Sequence, residues 1–110
     1  MSAATLSELQ HRADAGFAGA GGDLYEALAA VSHSEGLRKA DARYFVLSEC
    51  FQFSADCWST GEGGAVSSDL AGALAATWDH HLASVLGETD AEAAVALATT
   101  LRDDLRSLAA

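Results

Sequence analysis

The chain contains no proline among its 110 residues, although average usage would place about five or six there. Proline interrupts helices because its ring removes a backbone donor and clashes with the preceding turn. Helix-favouring alanine, leucine and acidic residues dominate, and ten glycines separate the periodic segments. No segment alternates β-branched and polar residues as a half-buried strand does. The sequence therefore predicts an all-α fold.

Capping and glycine signals divide the chain into five helices. The segments 5–8 (TLSE) and 89–92 (TDAE) fit the capping box, in which a hydroxyl and a later carboxylate each accept a hydrogen bond from a free backbone N–H. Glycines at 16, 36, 61 and 87 follow periodic segments and are expected to end helices. We predict a compact antiparallel bundle of four or five helices in a single domain, 1–110. The helices are expected near 5–15, 23–34, 37–60, 68–86 and 90–108.

The 37–60 segment has the clearest helical periodicity. At about 100° per residue, two adjacent apolar stripes cover roughly half of the helix surface. One stripe contains Leu37, Ala40, Tyr44, Leu47, Phe51, Ser54 and Trp58, and the other contains Val46, Cys50, Phe53 and Cys57. A stripe of that width predicts a central helix with neighbours on two sides.

The last segment has an apolar seam at the 4-3-4-3 spacing that is typical of coiled coils. The seam consists of Ala94, Ala98, Leu101, Leu105 and Leu108. A short, alanine-rich chain buries little area per helix, so we expect the seam to pair with a twofold mate in a homodimer. The alternative is that the seam is the inner face of the chain's own bundle.

Charge and cysteine spacing exclude several classes of protein. Sixteen acidic residues against six basic ones give a net charge of −10, which disfavours binding to a nucleic-acid backbone. No apolar run approaches the about 18 residues of a membrane span, and no signal-peptide pattern begins the chain, so we expect a cytoplasmic protein. Cys50 and Cys57 lie two helical turns apart, roughly 10.5 Å, too far for a disulfide, and are expected to be small core residues.

One aromatic residue departs from the periodicity of the 37–60 segment. Phe45 falls on the polar face, among Asp41, Glu49, Gln52 and Asp56. An exposed ring surrounded by carboxylates has the composition of a contact site for a basic protein partner. The alternative is that the segment before it, through Leu24, Leu28 and Val31, covers the ring and makes it part of the core.

These features predict a non-enzymatic acidic interaction module: an inhibitor, an immunity-like protein or a regulatory adaptor that needs no cofactor. No Gly-x-Ser-x-Gly motif is present, and neither cysteine has a sequence context that would activate it. The alternative is a small bundle that binds a metal or organic ligand between its helices, for example as an enzyme subunit. No Glu-x-x-His motif supports a carboxylate-bridged metal site.

Overall fold

The structure, a computed structural model, describes residues 21–59 and 68–108, which form four helices and no strand. We label them α1 (Gly21–Lys39), α2 (Ala42–Ser59), α3 (Ser68–Gly87) and α4 (Ala91–Ser107). The all-α prediction is confirmed. The predicted helix at 5–15 and the glycines at 16 and 61 lie outside the described residues.

The predicted helix boundary at Gly36 was wrong. α1 continues through Gly36 and ends at Lys39, so Leu37 belongs to α1 and not to the next helix. Leu37 is 67% exposed and does not extend the apolar stripe predicted for 37–60. A helix can contain one glycine at about 1 kcal/mol. Here the absent side chain leaves room for Phe45, because a Cβ at position 36 would lie 2.8 Å from the Cε1 atom of that ring.

Arg43 joins the α1–α2 turn to the α3–α4 turn. Its side chain is almost fully buried, and its Nη1 donates to the carbonyl oxygens of Val85 at 3.0 Å and Glu88 at 2.6 Å. Its Nε donates to Asp41 at 2.8 Å. Carbonyl groups at a helix C-terminus have no hydrogen-bond donor within the helix and carry partial negative charge. A guanidinium supplies both the missing donors and a compensating positive charge. The start of α2 therefore lies beside the end of α3.

Consecutive helices run antiparallel, with α2 packed between α1 and α4 and with α3 packed against α4. The rings of Phe51 on α2 and Trp78 on α3 stack with centroids 4.1 Å apart and planes 7° apart. Tyr25 of α1 lies 6.4 Å from Trp78, and the Nε1 of Trp78 donates to the Ser54 hydroxyl at 3.1 Å. These aromatic contacts tie three helices into one core.

Apart from Leu37 and Ala40, which precede α2 and are exposed, the predicted stripes lie on the buried faces of α2 and α4. The stripe residues of α2 that are buried are Tyr44, Leu47, Cys50, Phe51, Ser54, Cys57 and Trp58, while Val46 and Phe53 are half-buried. The buried residues of α4 are Ala94, Ala98, Leu101 and Leu105. The seam of α4 is thus the inner face of the chain's own bundle, and it is not open to a second copy. The homodimer stays a prediction that requires another surface.

The cap of α4 lies one residue later than the capping box predicted. The N-cap is Asp90, whose carboxylate accepts a hydrogen bond from the backbone N–H of Ala93 at 3.2 Å. The Glu88 carboxylate accepts from the backbone N–H of Asp90 at 3.0 Å. A carboxylate at this position also interacts favourably with the positive end of the helix dipole. Gly87 ends α3, as predicted.

Candidate interaction groove

Four of the five predicted contact residues lie along one side of α2. Phe45, Glu49, Gln52 and Asp56 are spaced by four, three and four residues, which places them on one face of a helix. The last three side chains are exposed, and Phe45 is half-buried. The structure therefore brings the predicted polar residues together, but it leaves their role in binding a prediction.

Helix α1 covers part of the Phe45 ring. His33 packs edge-on against it, with ring centroids 5.3 Å apart, and the ring also lies directly over Gly36. The sequence left open that the preceding segment covers Phe45 through Leu24, Leu28 and Val31. In the structure α1 does lie against the ring, but the contacts that define this packing come from His33 and Gly36.

Asp41 precedes α2 and has a local partner. Its Oδ1 accepts a hydrogen bond from the backbone N–H of Arg43 at 3.0 Å, and its Oδ2 forms an ion pair with the same guanidinium at 2.8 Å. The carboxylate thus caps the start of α2 and orients Arg43. It stands apart from the exposed carboxylates further along the helix.

An open groove of about 430 Å³ runs between α2 and α4. Its α2 wall carries Glu49, Gln52 and Asp56, and its α4 wall carries Arg102 and Arg106. Its apolar lining is formed by Cys50, Phe53 and Leu105. We call this feature the α2–α4 groove, and the two walls are its acidic wall and its arginine wall.

The charged groups of the groove are only loosely paired. Arg102 Nη1 lies 3.2 Å from the Glu49 carboxylate, which is about half exposed. The buried Nε of Arg102 has no acceptor among the described residues, so the pair lacks the bidentate geometry of a strong Arg–carboxylate contact. Gln52 Nε2 donates to Asp56 at 3.0 Å. These carboxylates and guanidinium groups therefore retain capacity for further hydrogen bonds.

The thiol beside the groove is chemically quiet. Burial raises the pKa of Cys50 to about 12, although the nearby Arg102 guanidinium acts in the opposite direction. Burial also raises the pKa of Cys57. Because the thiolate is the reactive form, both cysteines are poor nucleophiles at neutral pH. Both are free and buried, as expected for small core residues.

The arginine wall was missed in the sequence. Between Arg43 and Arg102 the chain contains no lysine or arginine, and Arg106 follows four residues later. Arg102 and Arg106 are four residues apart, so they lie on the same face of a helix, and this spacing is the one indication of a basic surface that the sequence gives. The sequence cannot show that the pair faces α2, because Arg102 and Glu49 are 53 positions apart.

The histidine pair on α3 does not form a metal centre with its neighbours. His81 Nε2 lies 2.6 Å from an Asp104 carboxylate oxygen on α4, and the rings of His80 and His81 meet edge-on. Within residues 21–59 and 68–108, no group of three or more metal-ligating side chains is assembled. The contact joins α3 to α4.

Comparison with family models, with curated proteins and with solved structures finds no match to this chain. None of the helices α1 to α4 combines the length and the apolar character needed to cross a membrane. The described residues form an all-α helical bundle, with the α2–α4 groove open between two of its helices.

Proposed function

We propose that the chain is a non-enzymatic acidic interaction module that acts through protein–protein contacts, as an inhibitor, an immunity-like protein or a regulatory adaptor. The observation that carries this proposal is the α2–α4 groove, where charged walls flank an apolar lining. A polar rim around an apolar centre is the usual anatomy of a protein–protein interface. The exposed part of Phe53 supplies apolar area that a partner can bury.

The charge of the chain supports a partner with a basic contact surface. The net charge of −10 produces a field that accelerates encounter with a positively charged protein. Glu49 and Asp56 place part of that charge at the groove. We further propose that the protein acts in the cytoplasm and that it does not bind nucleic acid.

The unreactive thiol supports binding rather than covalent catalysis at this site. With its pKa raised to about 12, Cys50 is protonated at neutral pH. A protonated, buried thiol contributes packing and not nucleophilic attack. We therefore assign the groove to recognition.

The alternative function, binding of an organic ligand between helices, has one observation in its favour. The groove volume of about 430 Å³ falls within the range of small-molecule sites, roughly 300–1,000 Å³. A ligand that binds only the folded state raises its melting temperature. A melting-shift screen of metals and small organic molecules therefore separates the two functions, since an interaction module responds to its protein partner alone.

The proposal is tested by site-specific photo-crosslinking in an extract of the native host. A photoreactive amino acid at Gln52 should capture a protein, and the same group at the exposed Ser84 of α3 should not. The variant Glu49→Gln/Asp56→Asn should lose most of the Gln52 adduct, and high salt should reduce it because exposed charges are screened. Equal capture at both positions, or an adduct indifferent to neutralisation, would show that the groove is not the contact site.

A further inference from the structure

The two groove arginines differ from the other described basic side chains. Near the α1–α2 turn, three basic side chains are held by carboxylates at 2.8–3.2 Å: Arg38, Lys39 and Arg43. Arg102 has one contact to the acidic wall, at 3.2 Å, and its buried Nε has no acceptor among the described residues. Arg106 has no ion-pair partner in that part of the chain. Among the described basic side chains, the one without a carboxylate partner, Arg106, therefore lies on the arginine wall.

The groove is self-complementary under one particular symmetry. A twofold axis that lies in the groove face, parallel to the helices, places α2 of one copy over α4 of the other and keeps each residue at its own height. Glu49 and Arg102 are level, because they are in contact within one chain. Glu49 of one copy then faces Arg102 of the other. A twofold axis that lies in the same face but runs across the helices would instead place α2 over α2, so that the two acidic walls would face each other.

We propose that the occupant of the α2–α4 groove is a second copy of this chain, packed acidic wall to arginine wall around that axis. This inference rests on the proposed function: the basic groups that meet Glu49 and Asp56 are arginines of another copy. The interface is isologous, so each contact occurs twice. It also covers the half-exposed Phe53, and it uses a surface distinct from the buried seam of α4.

The size of the face sets the expected strength of the dimer. Helices of 17 and 18 residues are about 27 Å long, and two neighbours present a face about 20 Å wide. That face is smaller than the roughly 800 Å² per partner of a standard interface. Two copies that each carry a net charge of −10 also repel one another at long range. We therefore expect a weak, reversible dimer, with dissociation in the micromolar range, held by the short-range contacts between acidic wall and arginine wall.

A charge-swap experiment tests the inference. One variant carries Glu49→Arg/Asp56→Arg, and the other carries Arg102→Glu/Arg106→Glu. Sedimentation equilibrium from micromolar to millimolar concentration should show a dimer for the wild type and a monomer for each variant alone. An equimolar mixture of the two variants should recover a 1:1 heterodimer, because both pairs of facing walls again carry opposite charge.

A matched control separates this effect from a general change in charge. Asp69→Arg/Asp79→Arg changes two exposed carboxylates of α3 by the same total charge and should still form the dimer. Circular dichroism and urea unfolding of each variant establish that it is folded, and a photoreactive group at Gln52 in the purified wild type should give a dimer adduct.

A wild type that is monomeric throughout, a dimer that persists in both swapped variants, or a mixture that fails to associate would overturn the dimer. Failure of the dimer is distinguishable from failure of the proposed function. A monomeric wild type that still gives the Gln52 adduct with a different protein refutes only the second copy as the occupant. Loss of every Gln52 adduct, with a monomeric wild type, refutes both.

Discussion

Replacing Gly36 with alanine tests the packing of Phe45 against α1 by setting two opposed effects against each other. Alanine is favoured over glycine in a helix interior by about 1 kcal/mol. The added Cβ would lie 2.8 Å from Cε1 of the ring and 3.0 Å from its Cδ1 and Cζ atoms. Overpacking of this kind costs about 1–3 kcal/mol. The free energy of unfolding should therefore fall by about 0–2 kcal/mol.

Gly72 in α3 is the matched control. A Cβ at that position meets no atom within 4 Å. Gly72→Ala should therefore raise the free energy of unfolding by about 1 kcal/mol, which is the difference in helix propensity between alanine and glycine. The two variants should differ by about 1–3 kcal/mol in stability. For a domain of this length, each kcal/mol moves the melting temperature by roughly 4 °C.

The assay is equilibrium urea unfolding, followed by fluorescence of the two buried tryptophans, Trp58 and Trp78. In a Phe45→Ala background the steric conflict is absent, so Gly36→Ala should there stabilise the protein by about 1 kcal/mol. If Gly36→Ala stabilises the wild type as much as Gly72→Ala does, the Phe45 ring does not pack on α1. That result would restore Phe45 as a free contact residue.

Three further predictions follow from the charged and buried groups. The Arg38 guanidinium holds the pKa of the Glu35 carboxyl at about 2, below its usual 4.5. The ionised carboxylate therefore contributes its full stabilisation above about pH 4.5, and this contribution is lost as the pH falls towards 2. Urea unfolding should show Glu35→Gln less stable than the wild type at pH 7, with the two converging near pH 2; a constant difference would contradict this. Arg43→Met leaves Asp41 without its counter-ion and should lower the free energy of unfolding by about 3–5 kcal/mol. A loss below about 1 kcal/mol would show that Arg43 does not hold the two turns together. Peptide mapping after iodoacetamide treatment at pH 8 should find Cys50 unmodified until urea unfolds the chain, because burial raises its pKa to about 12; modification at the rate of a free thiol would refute its burial.

The buried faces of the helices could be predicted from the sequence because they depend on local geometry. The spacing of Ala94, Ala98, Leu101 and Leu105 places them on one side of any α-helix, whatever surrounds it. The same spacing does not show what covers that side. The sequence thus allowed both a twofold mate and the chain's own bundle, and the packing of α4 against α2 and α3 decided for the latter.

The helix boundary at Gly36 shows where local signals fail. Glycine is common just after helix ends, and that preference predicts a stop there. In the structure Gly36 is interior to α1, where its missing side chain admits the Phe45 ring from α2. The reason for this glycine is a contact between two helices, so no property of the surrounding residues reveals it.

Half of the candidate site was likewise present in the sequence. Helical spacing alone placed Glu49, Gln52 and Asp56 on one exposed face, since each residue advances about 100° around the helix axis. Only the tertiary structure brought Arg102 opposite Glu49 and made a groove with two oppositely charged walls. Periodicity fixes which side of a helix is apolar, whereas the choice of neighbouring helix follows from long-range burial, such as the stacking of Trp78 on Phe51.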